Sequence, residues 1–344
     1  MSGFPPEALP FLRCPVCTAA FSPAGNSLQC ASGHNYDVAR RGYANLLPGG
    51  ARPGTADSAE MVAAREAFLS AGHFAGLRDF VCMMAERALG VAADDVTASG
   101  RGGAGNEASV AGEAPPTAPT GNGARPPMAP TGNGAHPRSA APSPGCIVEV
   151  GAGTGYYLAG MLDRLPGRVG LALDISKFAA RRAARAHERM AAVVCDAWQA
   201  LPLIDGAASL LLDIFAPRNP GEFRRILRPD GVLLVVTPSP RHLRELVDRL
   251  DLVTVDAQKP RRLEQALERG FSLNDRAEYE EVLSLPPADA VALVGMGPSA
   301  RHLQRADITE RLDGRDAPTG VTLSVIASMY TPRTPADAPA AAIP

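Results

Sequence analysis

From Cys146 onward the chain alternates short, nearly unbroken apolar runs with amphipathic segments, and this pattern constrains the fold more than any other feature. "CIVEVGAG", "RVGLALDIS", "AAVVCDA", "ASLLLDIFAP" and "GVLLVVTPS" carry apolar side chains at consecutive rather than alternate positions. Strands of that kind are buried on both faces, which requires a parallel sheet covered by helices on each side. The intervening segments 156–165, 177–189, "NPGEFRRILRP" and "RHLRELVDRL" read as those helices. "AEYEEVLSLP", a helix over 288–296 and "VTLSVIASMY" read as an antiparallel edge closing the sheet. The expected class is α/β, a doubly wound sheet of Rossmann-like type.

The N-terminal region is different in kind. Cys14, Cys17, Cys30 and His34 are separated by two, twelve and three residues. The "CPVC" turn faces two thiolates at one ion, and Cys30 with His34 supplies the second half-site. Three sulfurs and one nitrogen with no water position describe a closed, tetrahedral, structural Zn2+ site. The ion supplies folding energy that residues 11–47, with few apolar side chains, lack. Arg40 and Arg41 follow the last ligand, interleaved with Tyr36 and Tyr43. That mixture suits a phosphate backbone and unstacked bases. It equally suits a strand pair whose tyrosines pack on the ribbon while the arginines are solvated.

The expected organisation is a zinc ribbon at 1–47, a helical connector at 48–91, an insertion at 92–145, an α/β domain at 146–334 and a tail at 335–344. In the connector, Met61, Ala64, Phe68 and Leu69 share one helical face and Leu77, Val81 and Met84 another, with a break near "SAGH". The insertion holds "APTGNGA" twice among Pro, Gly, Ala and Ser, a composition too poor in large apolar residues to offset its ordering entropy. It is expected to be disordered, as is the tail. With 46% apolar and 20% charged residues and a net charge of -2, the rest is globular, and any basic surface must be local. No apolar run approaches the ~18 residues of a membrane span, and the N-terminus carries no signal-peptide pattern. Three of the six cysteines lie in the ribbon while Cys82, Cys146 and Cys195 stand alone, which fits a reducing cytoplasm.

"VEVGAGTGYY" places Glu149 near the end of a strand and Gly151, Gly153 and Gly155 in the following turn. Asp174 follows Gly155 by nineteen residues at the end of the second strand, as expected for an acceptor of ribose hydroxyls. Asp196 closes the third strand, placed to accept from an adenine amino group. Acidic residues after three successive strands with E-x-G-x-G-x-G fit S-adenosylmethionine better than a nicotinamide cofactor, whose usual turn is G-x-G-x-x-G. His242 in "TPSPRHLREL" reads either as a helix-start residue or as a ligand, and His73 with Phe74 either line a pocket or staple two helices.

Taken together with "GYANLLP", "DSAEMVAAREAFLSAGHFAGLRD", "LDISKFAARRAARAH" and "IFAPRNPGEFRRILRPDG", these motifs closely resemble the bacterial 23S rRNA (guanine-N1)-methyltransferases. That family includes the enzymes that protect macrolide producers from tylosin or mycinamicin. The resemblance covers nearly everything except 92–145. It implies a class I adenosylmethionine-dependent methyltransferase with an N-terminal zinc ribbon, acting on a guanine in a domain II hairpin of 23S rRNA, and it allows a homodimer. The family's zinc ligands fall on Cys14, Cys17, Cys30 and His34. Its adenosylmethionine contacts fall on Gly153, Thr154, Gly155 and Tyr156, on His242, and on Phe74, where tyrosine is common. Asp57 and Arg218 are candidates for handling the guanine's proton and O6, and Arg40, Arg41 and Arg65 for phosphate contacts. A small-molecule methyltransferase with the ribbon as a lid, and a non-catalytic RNA-binding protein, are the competing readings.

Overall fold

The computed structural model describes residues 3–48, 54, 56–90, 145–250, 259–297, 305–312 and 319–333. These belong to one unit built from Met1–Ala92 and Pro144–Pro344. The expected disorder of 92–145 and of 335–344 falls outside the described residues, Gly145 excepted.

The N-terminal region holds a short 3-10 helix, Pro6–Phe11, and then strands β1 (Phe21–Ala24), β2 (Ser27–Cys30), β3 (Asn35–Asp37) and β4 (Tyr43–Asn45). Helices α1 (Ala59–Ser70) and α2 (Ala75–Ala88) follow. Ser58 caps α1 by accepting from Met61 N at 3.2 Å, and the helix stops where Gly72 adopts φ +84°. Next in the described chain come β5 (Cys146–Val150), α3 (Tyr156–Arg164), β6 (Gly170–Asp174), α4 (Lys177–Ala183) and β7 (Met190–Val194). They are followed by β8 (Ala208–Ile214), α5 (Pro220–Ile226), β9 (Leu227–Pro238), α6 (Arg244–Leu250) and α7 (Lys259–Glu268). The last elements are β10 (Phe271–Leu285), α8 (Pro287–Gly295), α9 (Arg305–Leu312) and β11 (Thr319–Pro332).

β1, β2 and β3 form a small antiparallel sheet. The large sheet has the order β10-β11-β9-β8-β5-β6-β7-β4. β11 runs antiparallel to both β9 and β10, and the other pairings are parallel. Strand order reverses between β5 and β8, because the chain runs outward through β6 and β7 and then returns to the other side of β5. A crevice at the carboxyl ends of strands forms at such a reversal.

Side chains of these strands alternate between two cores. Ile147, Ala172, Ala192, Leu210 and Leu234 face one side with α1, α2 and α3. Val148, Leu171, Val193, Leu211 and Leu233 face the other with Phe223 of α5 and with Leu12, Phe21, Leu28 and Leu46 of the ribbon. The ribbon thus borrows a core from the sheet. β4 joins the sheet itself, with Ala44 in register with Val193 and Leu46 N donating to Val194 O at 2.9 Å.

The helix expected over 177–189 ends at Ala183. Arg189 is drawn away from it, donating Nη1 to the carbonyls of Leu165 and Arg168 at 2.9 and 2.7 Å and Nη2 to that of Leu162. Those bonds satisfy free carbonyls at the C-terminal end of α3, an alternative to continuing the helix.

Candidate active site and metal centre

Two tight turns bring the four predicted ligands together. Thr18 N closes the first by donating to Cys14 O at 2.8 Å, and Gly33 N closes the second by donating to Cys30 O at 2.9 Å, with Gly33 at φ +83°. The ligand atoms of Cys14, Cys17, Cys30 and His34 all lie within 4.8 Å of one another. Cys17 Sγ is 3.5 Å from Cys30 Sγ, and His34 Nδ1 is 3.3 Å from Cys30 Sγ and 3.6 Å from Cys14 Sγ. A tetrahedron with metal–sulfur bonds of about 2.3 Å has edges of about 3.8 Å, so a cluster with three pairs at 3.3–3.6 Å and none beyond 4.8 Å fits a zinc ion. A hydrogen bond from Ser32 lowers the Cys17 thiol to about 6, favouring the thiolate that zinc takes. Tyr36 Oη lies 3.7 Å from Cys14 Sγ, and its ring meets Phe21 edge-on at 5.6 Å. Tyr36 therefore packs on the ribbon, whereas Arg40 and Arg41 are exposed.

The second site lies at the sheet reversal. Gly151, Gly153 and Gly155 all have positive φ, at +66°, +55° and +79°, so the turn after β5 follows a path open to glycine. Glu149 is buried beneath this turn and accepts from Leu158 N at 3.1 Å. Burial pushes its carboxyl up to about 8 against the opposing pull of that hydrogen bond. Asp174 accepts from Gly153 N at 2.8 Å and from Ser176 N at 2.7 Å, tying the end of β6 to the glycine turn. Burial raises its pKa while those two amides lower it. Asp196, just past β7, accepts from Trp198 N at 2.9 Å. The three acids thus stand at the carboxyl ends of three adjacent strands.

His242 lies in the loop after β9. Its Nδ1 is 3.1 Å from Ser324 O, and burial lowers its pKa to about 4, which keeps the ring neutral at physiological pH. Phe74 is buried, 3% exposed, and meets Phe68 edge-on at 5.0 Å, while His73 bonds Asp289 at 2.8 Å. His73 thus ties the turn between α1 and α2 to α8, and Phe74 packs into the core against α1. Tyr156 turns toward α2, with the Arg78 guanidinium 5.0 Å from its ring centre. Thr154 is half-buried.

Three candidates behave differently from expectation. Arg65 is not a surface cation; it pairs with Asp57 at 2.6 Å, donates to Met296 O at 2.9 Å, and lies against Gly153, where an added Cβ would sit 3.1 Å from Nη1. That pairing also occupies Asp57. Arg218, a candidate for the guanine's O6, folds inward, with Nε 3.0 Å from Asp213 Oδ1. Asp213 is fully buried, which pushes its carboxyl up to about 8 against the nearby guanidinium. The approach is poorly aligned, and among the described residues both Asp213 oxygens and Arg218 Nε lack a directed hydrogen bond. Tyr157 Oη is a buried hydroxyl that has no hydrogen-bond partner among the described residues.

Glu149 supplies a pH test. In the folded chain it keeps its proton up to about pH 8, whereas the unfolded chain releases it near the ordinary glutamate value of 4.5. The native state then binds more protons across that window, so stability falls as pH rises through it. Glu149→Gln retains an acceptor for Leu158 N–H and abolishes the titration. The variant's Tm relative to the parent is expected to rise from pH 5 to pH 8, by several degrees at about 2–4 °C per kcal/mol, as read by calorimetry.

A parallel sheet of this order with one antiparallel strand near its end, a glycine turn flanked by an acid, and further acids on the next two strands define a class I methyltransferase. Residues 12–52 match the family model described as "RlmA, N-terminal", a zinc ribbon. A Micromonospora griseorubida protein named "Putative 23S rRNA (guanine-N(1)-)-methyltransferase" is 43% identical over 331 residues, covering 95% of this chain and 99% of the relative. The 23S rRNA (guanine(748)-N(1))-methyltransferase of Streptomyces fradiae is 38% identical over 324 residues, covering 94% and 97%. This chain belongs to the 23S rRNA (guanine-N1)-methyltransferase family.

Proposed function

We propose that this protein transfers a methyl group from S-adenosylmethionine to N1 of a guanine in a domain II hairpin of 23S rRNA. The observation that carries the reading is similarity along 94% of the chain to an enzyme named for that reaction, with ribbon ligands and glycine turn both assembled. The cofactor supplies an electrophilic methyl on a sulfonium. The turn Gly153–Tyr156 would hold it by close backbone approach, Asp174 would accept from its ribose hydroxyls, Asp196 would accept from its adenine amino group, and Phe74 would stand beside it.

Transfer needs the nucleophile aligned with the methyl at ~3 Å, so the protein's main task is positioning. Guanine N1 lies in the Watson–Crick edge, and the base must leave its pair before it reacts. Arg40 and Arg41, exposed beside the ribbon, contact phosphates, and their contribution falls steeply with salt. The substrate places the protein in the cytoplasm; among the described residues, no helix is long and apolar enough to cross a membrane. Primer extension on 23S rRNA from cells with and without the gene tests the proposal. N1-methylguanine blocks pairing, so one new stop within the hairpin is expected, and identical ladders would overturn it.

A further inference from the structure

We propose that Phe215 and His242 form one aromatic platform on which the extruded guanine stacks beside the glycine turn. This rests on the functional reading above and adds the residues that hold the target base. Phe215 has φ +55°, a region side-chain-bearing residues avoid at a cost of about 1 kcal/mol or more. Burial does not compensate for that conformation. The ring is 42% exposed, although Ile214 just before it is buried. The backbone is held there by Phe215 N donating to Val236 O at 3.1 Å and by its neighbour Ala216, which lies so close to Gly151 that an added Cβ would come within 2.7 Å. The strained residue thus sits at the carboxyl end of β8, across the sheet reversal from the turn after β5.

His242 reaches the same place from the end of β9. The two rings are 5.6 Å apart with an interplanar angle of 36°. At that separation no base fits between them, so a base stacks on the exposed Phe215 ring with the His242 ring set beside it. His242 is oriented by Ser324 and uncharged, which suits it to stack on a neutral purine. Exposed aromatic faces hold unstacked bases with little dependence on base identity, and strained backbone concentrates where a side chain is held for a ligand.

The test compares Phe215→Gly and Phe215→Tyr with the parent enzyme in thermal stability, adenosylmethionine affinity and methyl transfer to 23S rRNA. Glycine accepts φ +55° without strain, so Phe215→Gly is expected to keep its Tm within about 5 °C. Its cofactor affinity should stay within about twofold, and kcat/KM for RNA should fall about 10- to 100-fold. Phe215→Tyr should restore most of that loss. Several results would overturn the platform while leaving the enzyme assignment intact: full activity in Phe215→Gly, a parallel loss of cofactor affinity, a larger drop in Tm, or failure of the tyrosine to rescue. An inactive parent enzyme overturns the functional reading, and the platform with it.

Discussion

Replacing Cys30 with serine is expected to release the metal and unfold the ribbon while leaving the methyltransferase sheet standing. Cys30 is the natural choice because it is buried, 4% exposed, and touches both Cys17 and His34. β1 and β2 are four residues each and β3 is three, too short to be stable as an isolated sheet. Structural zinc contributes an apparent ~10–16 kcal/mol in comparable sites, and losing one thiolate removes enough of it to cost at least about 3 kcal/mol locally. The ribbon's contacts with the sheet, through Leu12, Leu28 and β4, do not replace that term. Zinc content by elemental mass spectrometry should fall from one to near zero per chain. Amide-exchange protection should disappear over residues 14–37 and persist over β5 to β8. Adenosylmethionine affinity should change by no more than a few-fold, because the glycine turn lies on the sheet. Protection retained across the ribbon in the metal-free variant would mean the apolar contacts alone suffice.

Gly155→Val is expected to damage the other half of the protein. Gly155 has φ +79°, and a Cβ there would lie 2.8 Å from Met190 Sδ and 3.2 Å from Ala183 Cα. The methionine can move, but the α4 backbone cannot, and valine is among the residues least able to hold positive φ. Strain and overpacking together should cost about 3 kcal/mol or more and reduce adenosylmethionine affinity at least about 100-fold. Gly167→Val separates the two causes. Gly167 shares a positive φ of +75°, yet nothing lies within 4 Å of its added Cβ. It should show only the backbone penalty, about 1–2 kcal/mol, with cofactor affinity intact. Scanning calorimetry and titration calorimetry with adenosylmethionine read both quantities. Equal effects at the two glycines would show that close packing against α4 does not shape the turn.

Much of this architecture was legible in the chain because its signals are local. Residues such as Ile147–Val148 and Leu210–Leu212 are apolar at consecutive positions because both faces of the sheet are covered, and burial on both faces leaves a mark that needs no partner to read. The zinc ligands were legible for a similar reason, since Cys-x2-Cys and Cys-x3-His each close within one turn. What escaped depends on distant pairings. β4 spans three residues, Tyr43–Asn45, too few to show a period, and it becomes a strand only because β7 offers an edge. Arg65 looked like a surface cation because nothing in the sequence pairs it with Asp57, and Met296, its other partner, lies 231 positions away. Arg218 looked available to a guanine because its partner, only five residues back, is a carboxylate inside an apolar strand. The shortened α4 follows from three carbonyls that Arg189 reaches in and beyond α3. Positive φ at Phe215 left no trace at all, because phenylalanine is a residue that avoids it; only the tertiary structure could impose it.

The most direct measurement of the central claim uses the purified full-length protein, isotopically labelled adenosylmethionine and deproteinised 23S rRNA. The rRNA is then digested and its nucleosides separated by liquid chromatography and mass spectrometry. The account predicts label in N1-methylguanosine, approaching one methyl per rRNA and mapping to a single guanine, as proposed in the domain II hairpin. Label at another atom or another base, or transfer that proceeds equally well to small molecules and not to rRNA, would contradict the account.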